Sequence, residues 1–128
     1  MIKLSIRGIE EEIPLLESII RTKGKEEGID EDLLEEIVII ITEICNNIIF
    51  HNYKNDPTKE IKIHIKKEQN NILIEIKDEG TKFDPIEYLK KSFKIEKGMG
   101  IQLVNKLATR FEYEYKDGNI YRIYKKIK

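Results

Sequence analysis

Isoleucine-rich segments with two different periods alternate along this chain. Apolar side chains at every second position predict strands at Ile2–Ile6, Ile61–Ile65 and Ile72–Ile76. Apolar side chains spaced three and four residues apart predict three amphipathic helices. Their apolar positions are Leu15, Leu16, Ile19 and Ile20, then Leu34, Ile37, Val38, Ile41, Cys45, Ile48 and Ile49, then Ile101, Val104, Leu107 and Ala108. The segment from Phe111 to Tyr115 and the segment from Ile120 to Ile127 predict two closing strands.

Residues with special backbone preferences mark where these elements begin and turn. Pro14 suits the first turn of the first helix, where its missing N–H costs nothing. Asp30 is the predicted N-cap of the second helix. Asn70–Asn71 and Asp117–Gly118 predict hairpin turns between strands.

The second helix carries a polar stripe opposite its apolar face. Glu36, Glu43, Asn47 and His51 fall together there, and Glu43 and Asn47 are one turn apart, so that both can serve one site. The stripe faces either solvent or a cleft. Asp78 ends the third strand on its isoleucine face, where a carboxylate needs a partner or a ligand.

Composition narrows the class of protein. The 128 residues predict a single domain, 1–128, with a two-layer core. The net charge is −1 with Lys and Glu interspersed, which argues against direct nucleic-acid binding. Cys45 is the lone cysteine and is expected to be a buried, unreactive thiol. Because there is no apolar run of about 18 residues and no signal-peptide pattern, we expect a cytoplasmic protein without a membrane span.

The segment Gly80–Lys97 lacks a clean period, and a connection of this length is either a functional lid, over residues 81–97, or a disordered segment; a short helix is expected around Ile86–Lys91. Gly98, Met99 and Gly100 follow it at the start of the third helix. Glycines at a helix start allow a phosphate to approach backbone N–H groups, although glycines that only start a helix or add flexibility are the commoner explanation of such a pattern.

These motifs, in this order, resemble the Bergerat-fold ATP-binding family, which includes gyrase, histidine kinases and mismatch-repair ATPases. More narrowly, the chain resembles bacterial anti-sigma-factor serine/threonine kinases. The motifs are Thr42-Glu43-x-x-x-Asn47 with His51, Asp78-Glu79-Gly80 followed by Phe83-Asp84-Pro85, and Lys97-Gly98-Met99-Gly100-Ile101. The resemblance implies an α+β fold, a two-layer sandwich in which three main helices cover one face of a mixed sheet.

The resemblance also implies a role for each matching position, with ATP and Mg²⁺ as cofactors. Asn47 matches the magnesium ligand, and Glu43 matches the proposed general base. Asp78 matches the acceptor for the adenine amino group, and Gly80 allows the sharp turn beside the base. The segment Lys97–Gly100, which includes Gly98, Met99 and Gly100, matches the phosphate-binding backbone and its basic flank.

Two positions depart from the family pattern. Lys97 stands where the family often has Arg. A lysine keeps the positive charge but lacks the planar, bidentate fork of the guanidinium group. The last strands often carry a Thr near the adenine, whereas this hairpin reads Gly118-Asn119-Ile120-Tyr121. The lid is also short.

The resemblance implies an ATP-dependent protein serine/threonine kinase that binds a sigma factor and phosphorylates an anti-anti-sigma antagonist of the STAS type. A homodimer through the N-terminal strand and helix is a further expectation. Two alternatives stay open. One is a nucleotide-dependent partner switch without catalysis. The other is a separate ATP-binding part of a histidine kinase, which would need a phosphoacceptor histidine from another protein.

Overall fold

The computed structural model describes residues 2–87 and 99–127. Five strands form one sheet: β1 (Ile2–Arg7), β2 (Glu60–Glu68), β3 (Asn71–Asp78), β4 (Arg110–Tyr115) and β5 (Asn119–Lys126). The main helices of the described residues are α1 (Ile13–Glu26), α2 (Glu31–Asn47) and α3 (Met99–Leu107). A 3₁₀ turn at Glu10–Glu12 precedes α1, and a π-helical turn at Ile48–Asn52 follows α2.

The α+β fold class is confirmed, and one detail of the sheet is corrected. The strand order is β1-β2-β3-β5-β4, and all four pairings among the described residues are antiparallel, so the expected mixed sheet is wrong. Two hairpins, β2–β3 and β4–β5, reverse the chain directly. Because β1 and β5 also run opposite to their neighbours, no parallel pairing arises.

The helices pack against the isoleucine face of the sheet. Ile61, Ile63 and Ile65 of β2 lie in register with Ile6, Leu4 and Ile2 of β1. The same face continues on β3 through Ile74 and Ile76. Every apolar position predicted for α2 is buried, and so is Ile40, whereas Ile39 is partly exposed. The hydrophobic core is therefore one layer between the three helices and this face of the sheet, with α2 as its largest helical contributor.

Local signals in the sequence set most element boundaries. Asp30 caps α2, since its carboxylate accepts a hydrogen bond from the Leu33 N–H at 3.2 Å. The β4–β5 turn is confirmed, with Asp117 and Gly118 both at positive φ. The β2–β3 turn lies one residue earlier than predicted: Glu68 pairs with Asn71, and Gln69 takes the left-handed conformation.

Candidate functional site

Glu43 and Asn47 project from the last two turns of α2, and α3 begins beside them. Glu43 is half-buried, and Gly100 is the second residue of α3. A Cβ atom on Gly100 would lie 2.5 Å from Glu43 Oε2. The missing side chain at residue 100 therefore lets the start of α3 approach the carboxylate, and the structure brings these two predicted site residues together.

Asn47 has a polar atom with no partner inside the protein. Its Nδ2 is buried and has no hydrogen-bond partner, which is unusual because buried polar groups are normally paired. The residue lines a cavity of about 120 Å³ together with Ile48, His51, Asn52, Thr81, Lys82, Phe83 and Tyr121. His51, which the sequence places on the same polar stripe as Asn47, borders this cavity and is exposed.

The residues at this cavity fit a magnesium ion held mainly by a nucleotide. Within the described ranges, no three acidic, histidine or cysteine side chains are grouped to hold a metal. Mg²⁺ often keeps several waters and takes only one or two protein ligands beside substrate phosphates. An amide oxygen is a hard ligand of the kind that Mg²⁺ prefers, and Asn47, which lines the cavity, would supply one through Oδ1.

The π-helical turn changes which side chains reach this cavity. Tyr53 N–H donates to the carbonyl oxygen of Ile48 at 2.7 Å, which spans five residues instead of four. A wider turn rotates the following residues less per step, so Asn52 joins Asn47 and His51 along the cavity. No pattern in the sequence indicated this position for Asn52.

Asn52 holds the chain where it leaves β3. Its Nδ2 donates to the Thr81 carbonyl oxygen at 2.9 Å, and its Oδ1 accepts from the Thr81 N–H at 3.1 Å. A side chain on Gly80 would collide with the Asn52 carboxamide. Gly80 is thus required for a close approach to Asn52 as the chain turns away from β3.

Asp78 lies where the sequence places it, on the inner face at the end of β3, and is 7% exposed. Its Oδ1 accepts three hydrogen bonds, from Gly80 N–H at 3.0 Å, Asn119 N–H at 3.2 Å and Asn119 Nδ2 at 2.8 Å. Its Oδ2 has one long contact, 3.4 Å to the Tyr121 hydroxyl. The carboxylate is therefore held by one oxygen, and the other has spare acceptor capacity.

Asn119 occupies the stretch in which the family pattern often has Thr, and it is fully buried. Its Nδ2 donates to Asp78 Oδ1 and, at 2.8 Å, to the Thr81 carbonyl oxygen. Its Oδ1 accepts from the Phe83 N–H at 2.9 Å and from the Tyr113 hydroxyl. A carboxamide can make four such bonds, so this one is saturated. The only signal in the sequence was the departure from the family pattern at this position.

Gly118 allows Asn119 to reach Asp78. It has a φ of +141°, and a Cβ atom there would collide with the backbone carbonyl oxygen of Asp78. The β4–β5 hairpin can therefore lie directly against the end of β3. A second cavity, of about 450 Å³, borders this junction and is lined by Glu60, Lys62, Lys77, Asp78, Glu79, Lys116, Asp117, Gly118 and Ile120.

Two of the predicted site residues line different cavities. Asn47 lines the smaller cavity, whereas Asp78 lines the larger one. Tyr121 links them, because it lines the smaller cavity and its hydroxyl contacts Asp78. The smaller volume is below the roughly 300 to 1,000 Å³ of pockets for drug-sized ligands. A complete nucleotide therefore needs space beyond that cavity.

Two buried phenols and one buried thiol in the described part of the chain remain protonated. Burial raises the pKa of Tyr121, and the nearby Asp78 carboxylate raises it further. Burial likewise raises the pKa of Tyr53 and that of the Cys45 thiol. The reading of Cys45 as an unreactive thiol agrees with its full burial.

Part of the predicted site lies outside the described residues. Lys97 and Gly98 belong to that part, as do residues 88–97 of the expected lid. Residues 85–87 are helical, and the Asp84 carboxylate accepts the Ile86 and Glu87 N–H groups at 2.9 and 3.3 Å. Met99 begins α3.

Comparison with known proteins finds one matching family and several relatives. Residues 10–125 match the family described as histidine kinase-like ATPase domain. Proteins named serine-protein kinase RsbW, from Bacillus thuringiensis strain Al Hakam and from Bacillus anthracis, are 30% identical over 106 residues. These alignments cover 71% of this chain and 62% of each relative, so the chain spans less than two thirds of their length.

Solved structures share the fold. The structure of the RsbU and RsbW domains of a Mycobacterium tuberculosis protein aligns with a TM-score of 0.68 at 14% identity, over 98% of this chain and 32% of that one. A histidine kinase domain from Erythrobacter litoralis aligns with a TM-score of 0.56 at 13% identity, over 73% and 44%. In the described part of the chain, no helix is long and apolar enough to span a membrane.

Proposed function

The chain belongs to the family of histidine kinase-like ATPase domains, and on that premise we propose that it binds Mg²⁺-ATP and phosphorylates a serine or threonine of a partner protein. One observation carries the proposal. The Glu43 carboxylate lies against the glycine at the start of α3, one helical turn from the unpartnered amide of Asn47. A potential proton acceptor thus lies beside the start of α3, and a potential metal ligand lies one turn further along α2.

The transfer itself requires mainly positioning and one proton acceptor. The attacking hydroxyl oxygen forms a bond to the γ-phosphorus while the bond from that phosphorus to the β–γ bridging oxygen breaks. Glu43 takes the hydroxyl proton, and ADP leaves. The first N–H groups of α3 have no partner within the helix and favour negative charge, so Gly100 can present them to phosphate oxygens.

Asn47 would hold the metal ion, which supplies charge neutralisation at the phosphates. Asp78 would accept a hydrogen bond from the adenine amino group through the oxygen that has spare capacity. Gly80 keeps the backbone turned beside the base. Lys97, Gly98 and Met99 complete the proposed phosphate-binding segment.

The partner proteins follow from the narrower resemblance and from the relatives' name, serine-protein kinase RsbW. We assign the chain a sigma factor as the bound target and an anti-anti-sigma protein as the phosphorylated substrate, within the cytoplasm. The chain would act as a single domain, 1–128. A homodimer through β1 and α1 is consistent with the position of β1 at the sheet edge.

Replacing Glu43 by Gln tests the catalytic part of this proposal. Glu43→Gln keeps the size of the side chain and removes its basicity, so phosphotransfer to the cognate antagonist should fall by about 100-fold or more. ATP affinity, measured by calorimetry, should change little. Glu31→Gln, at an exposed position in the first turn of the same helix, is the matched control.

Each other outcome has a distinct meaning. Transfer at the wild-type rate by Glu43→Gln would exclude Glu43 as the base. Wild-type protein that binds ATP but does not phosphorylate a verified cognate antagonist would identify a nucleotide-dependent switch without catalysis. Wild-type protein that does not bind ATP would refute the whole proposal.

A further inference from the structure

Asn119 joins three parts of the fold, although the proposed function gives it no role in catalysis or ligand binding. Its carboxamide is buried and makes four hydrogen bonds, to β3, to β4 and to two residues of the segment that follows β3. A saturated carboxamide has no donor or acceptor left for a ligand. Asn119 therefore acts, if it acts at all, through the groups that it holds.

The group it holds most directly is the carboxylate of Asp78. Both the backbone N–H and the Nδ2 of Asn119 donate to Oδ1, and Gly80 N–H supplies a third bond. These three donors fix the orientation of the carboxylate plane. Oδ2 is left with only the 3.4 Å contact to Tyr121, which is longer than an ordinary O–H···O hydrogen bond.

The same carboxamide also fixes the first residues after β3. It binds the Thr81 carbonyl oxygen at 2.8 Å and the Phe83 N–H at 2.9 Å. Thr81 and Phe83 both line the cavity that contains Asn47. A threonine in place of Asn119 has one hydroxyl donor and cannot reproduce the two donations of Nδ2.

We propose that Asn119 is a positioning residue that turns the free oxygen of Asp78 toward a purine amino group and locks this orientation to Thr81 and Phe83. The inference rests on the proposed function, because it takes Asp78 as the contact for the base. It assigns selectivity for a 6-aminopurine to the pair Asp78 and Asn119 rather than to Asp78 alone.

The test compares two nucleotides that differ only in the purine 6-amino group. Affinities for ATP and for purine riboside 5′-triphosphate are measured by calorimetry with wild type, Asn119→Ala and Asn119→Thr. In wild type the amino group should favour ATP by about tenfold or more, as expected for a hydrogen bond to a charged group. In both variants that preference should shrink toward one, since Oδ1 loses its shortest hydrogen bond and the two remaining backbone donors leave the carboxylate freer to rotate.

The ratio of the two affinities separates positioning from general destabilisation. A merely structural role would weaken both nucleotides equally, because partial unfolding lowers both affinities by the same factor. Asn70→Ala, an exposed residue at the turn that precedes β3, is the matched control and should keep the wild-type ratio. Thermal melting confirms which variants are folded.

Asn119→Asp supplies a conservative variant with a different signature. It keeps the shape but places a second carboxyl beside Asp78, where two like charges disfavour full ionisation. A proton shared between the two carboxyls replaces the donation from Nδ2 to Asp78 Oδ1 but not the donation to Thr81, so part of the ATP preference should return as the pH falls from 8 toward about 5. Tyr113 and Tyr121 also face this group, but burial raises the pKa of both phenols and they remain neutral in this range.

The outcomes distinguish this inference from the proposed function. Wild-type protein that binds neither nucleotide would refute the proposed function and this inference with it. Wild-type protein that prefers ATP, together with Asn119→Ala and Asn119→Thr that keep the same preference, would overturn the inference alone. Loss of the preference in both variants, with its partial pH-dependent return in Asn119→Asp, is the result that we expect.

Discussion

Asn47 combines a buried polar atom with no internal partner and a position at the edge of a cavity. An unsatisfied buried polar group costs about 1–3 kcal/mol. Proteins tolerate such a cost where function requires it, and bound ligands can later satisfy the group. Without a bound ligand, Asn47 therefore carries an unfavourable contribution to stability at the site.

Asn47→Ala should separate stability from metal binding. The variant loses the unpaired donor and gains helix propensity, so its thermal midpoint should equal or exceed that of wild type. The increase in ATP affinity that Mg²⁺ gives should disappear. Calorimetry with and without Mg²⁺ measures this, and Asn46→Ala, the adjacent half-buried amide, is the control. An equal Mg²⁺ effect in wild type and Asn47→Ala would contradict the assignment.

Gly100→Ala tests the close approach between α3 and Glu43. The new Cβ atom would lie 2.5 Å from Glu43 Oε2, so the flexible end of the glutamate must move. Folding should be little affected, because a side-chain end can rotate away. Phosphotransfer should fall by about 10- to 100-fold, since small displacements of a catalytic group have effects of this order. A transfer rate equal to that of wild type would show that the carboxylate position is unimportant.

At the scale of elements, the π-helical turn Ile48–Asn52 connects the helix layer to the sheet. It ends at Tyr53, which is 4% exposed. The Tyr53 hydroxyl donates to the Glu60 carbonyl oxygen at 2.5 Å and accepts from the Glu79 N–H at 2.8 Å. One side chain thus fixes the start of β2 and the residue after β3. Tyr53 therefore fixes the π-helical turn relative to the end of β3, where Asp78 lies.

Tyr53→Phe should therefore destabilise the protein, although the substitution removes only one oxygen atom. The Glu79 N–H and the Glu60 carbonyl oxygen would lose this partner at a largely buried position, at a cost of about 1–3 kcal/mol. Urea unfolding measures the change. Tyr115→Phe removes the same atom from a side chain that is 43% exposed, and it should leave the free energy of unfolding unchanged. Equal effects of the two substitutions would contradict this role for Tyr53.

At the scale of the whole molecule, the outer face of the sheet carries a charged row, Lys3, His64, Glu75 and Arg122, in register across four strands. Burial and the charges of Lys3 and Lys66 lower the pKa of His64. Burial opposes ionisation of Glu75, but the hydrogen bond from Arg122 at 2.9 Å and nearby lysines outweigh it and lower the pKa of that carboxyl.

Both shifts predict lower stability in acid. A lowered His64 pKa means that the unfolded chain takes up the proton first, so stability is lost as the pH falls below about 6.5. A lowered Glu75 pKa gives stability above about pH 4.5 that is lost as the pH falls through the folded value. Thermal melting from pH 8 to 3 should show His64→Gln reducing the first decline and Glu75→Gln the second. Unchanged profiles in both variants would contradict this.

The sequence by itself determined the elements and the faces of those elements. Period-two and period-3.6 patterns depend on local geometry, so β1, α2 and β3 could be predicted, with Asp78 on the buried face of β3. The spacing of Glu43 and Asn47 likewise follows from one helical turn. The family resemblance added a role for each motif, which the local patterns alone do not provide.

Only the tertiary structure decided how distant segments meet. Asn119 reaches Asp78 across 41 residues, and Gly100 meets Glu43 between two different helices. The antiparallel strand order and the π-helical turn that brings Asn52 to Thr81 were also decided only by the tertiary structure. A sequence pattern records which face a residue occupies. Which donor meets which acceptor depends on packing between elements far apart in the chain, and that choice fixes the shape of the site.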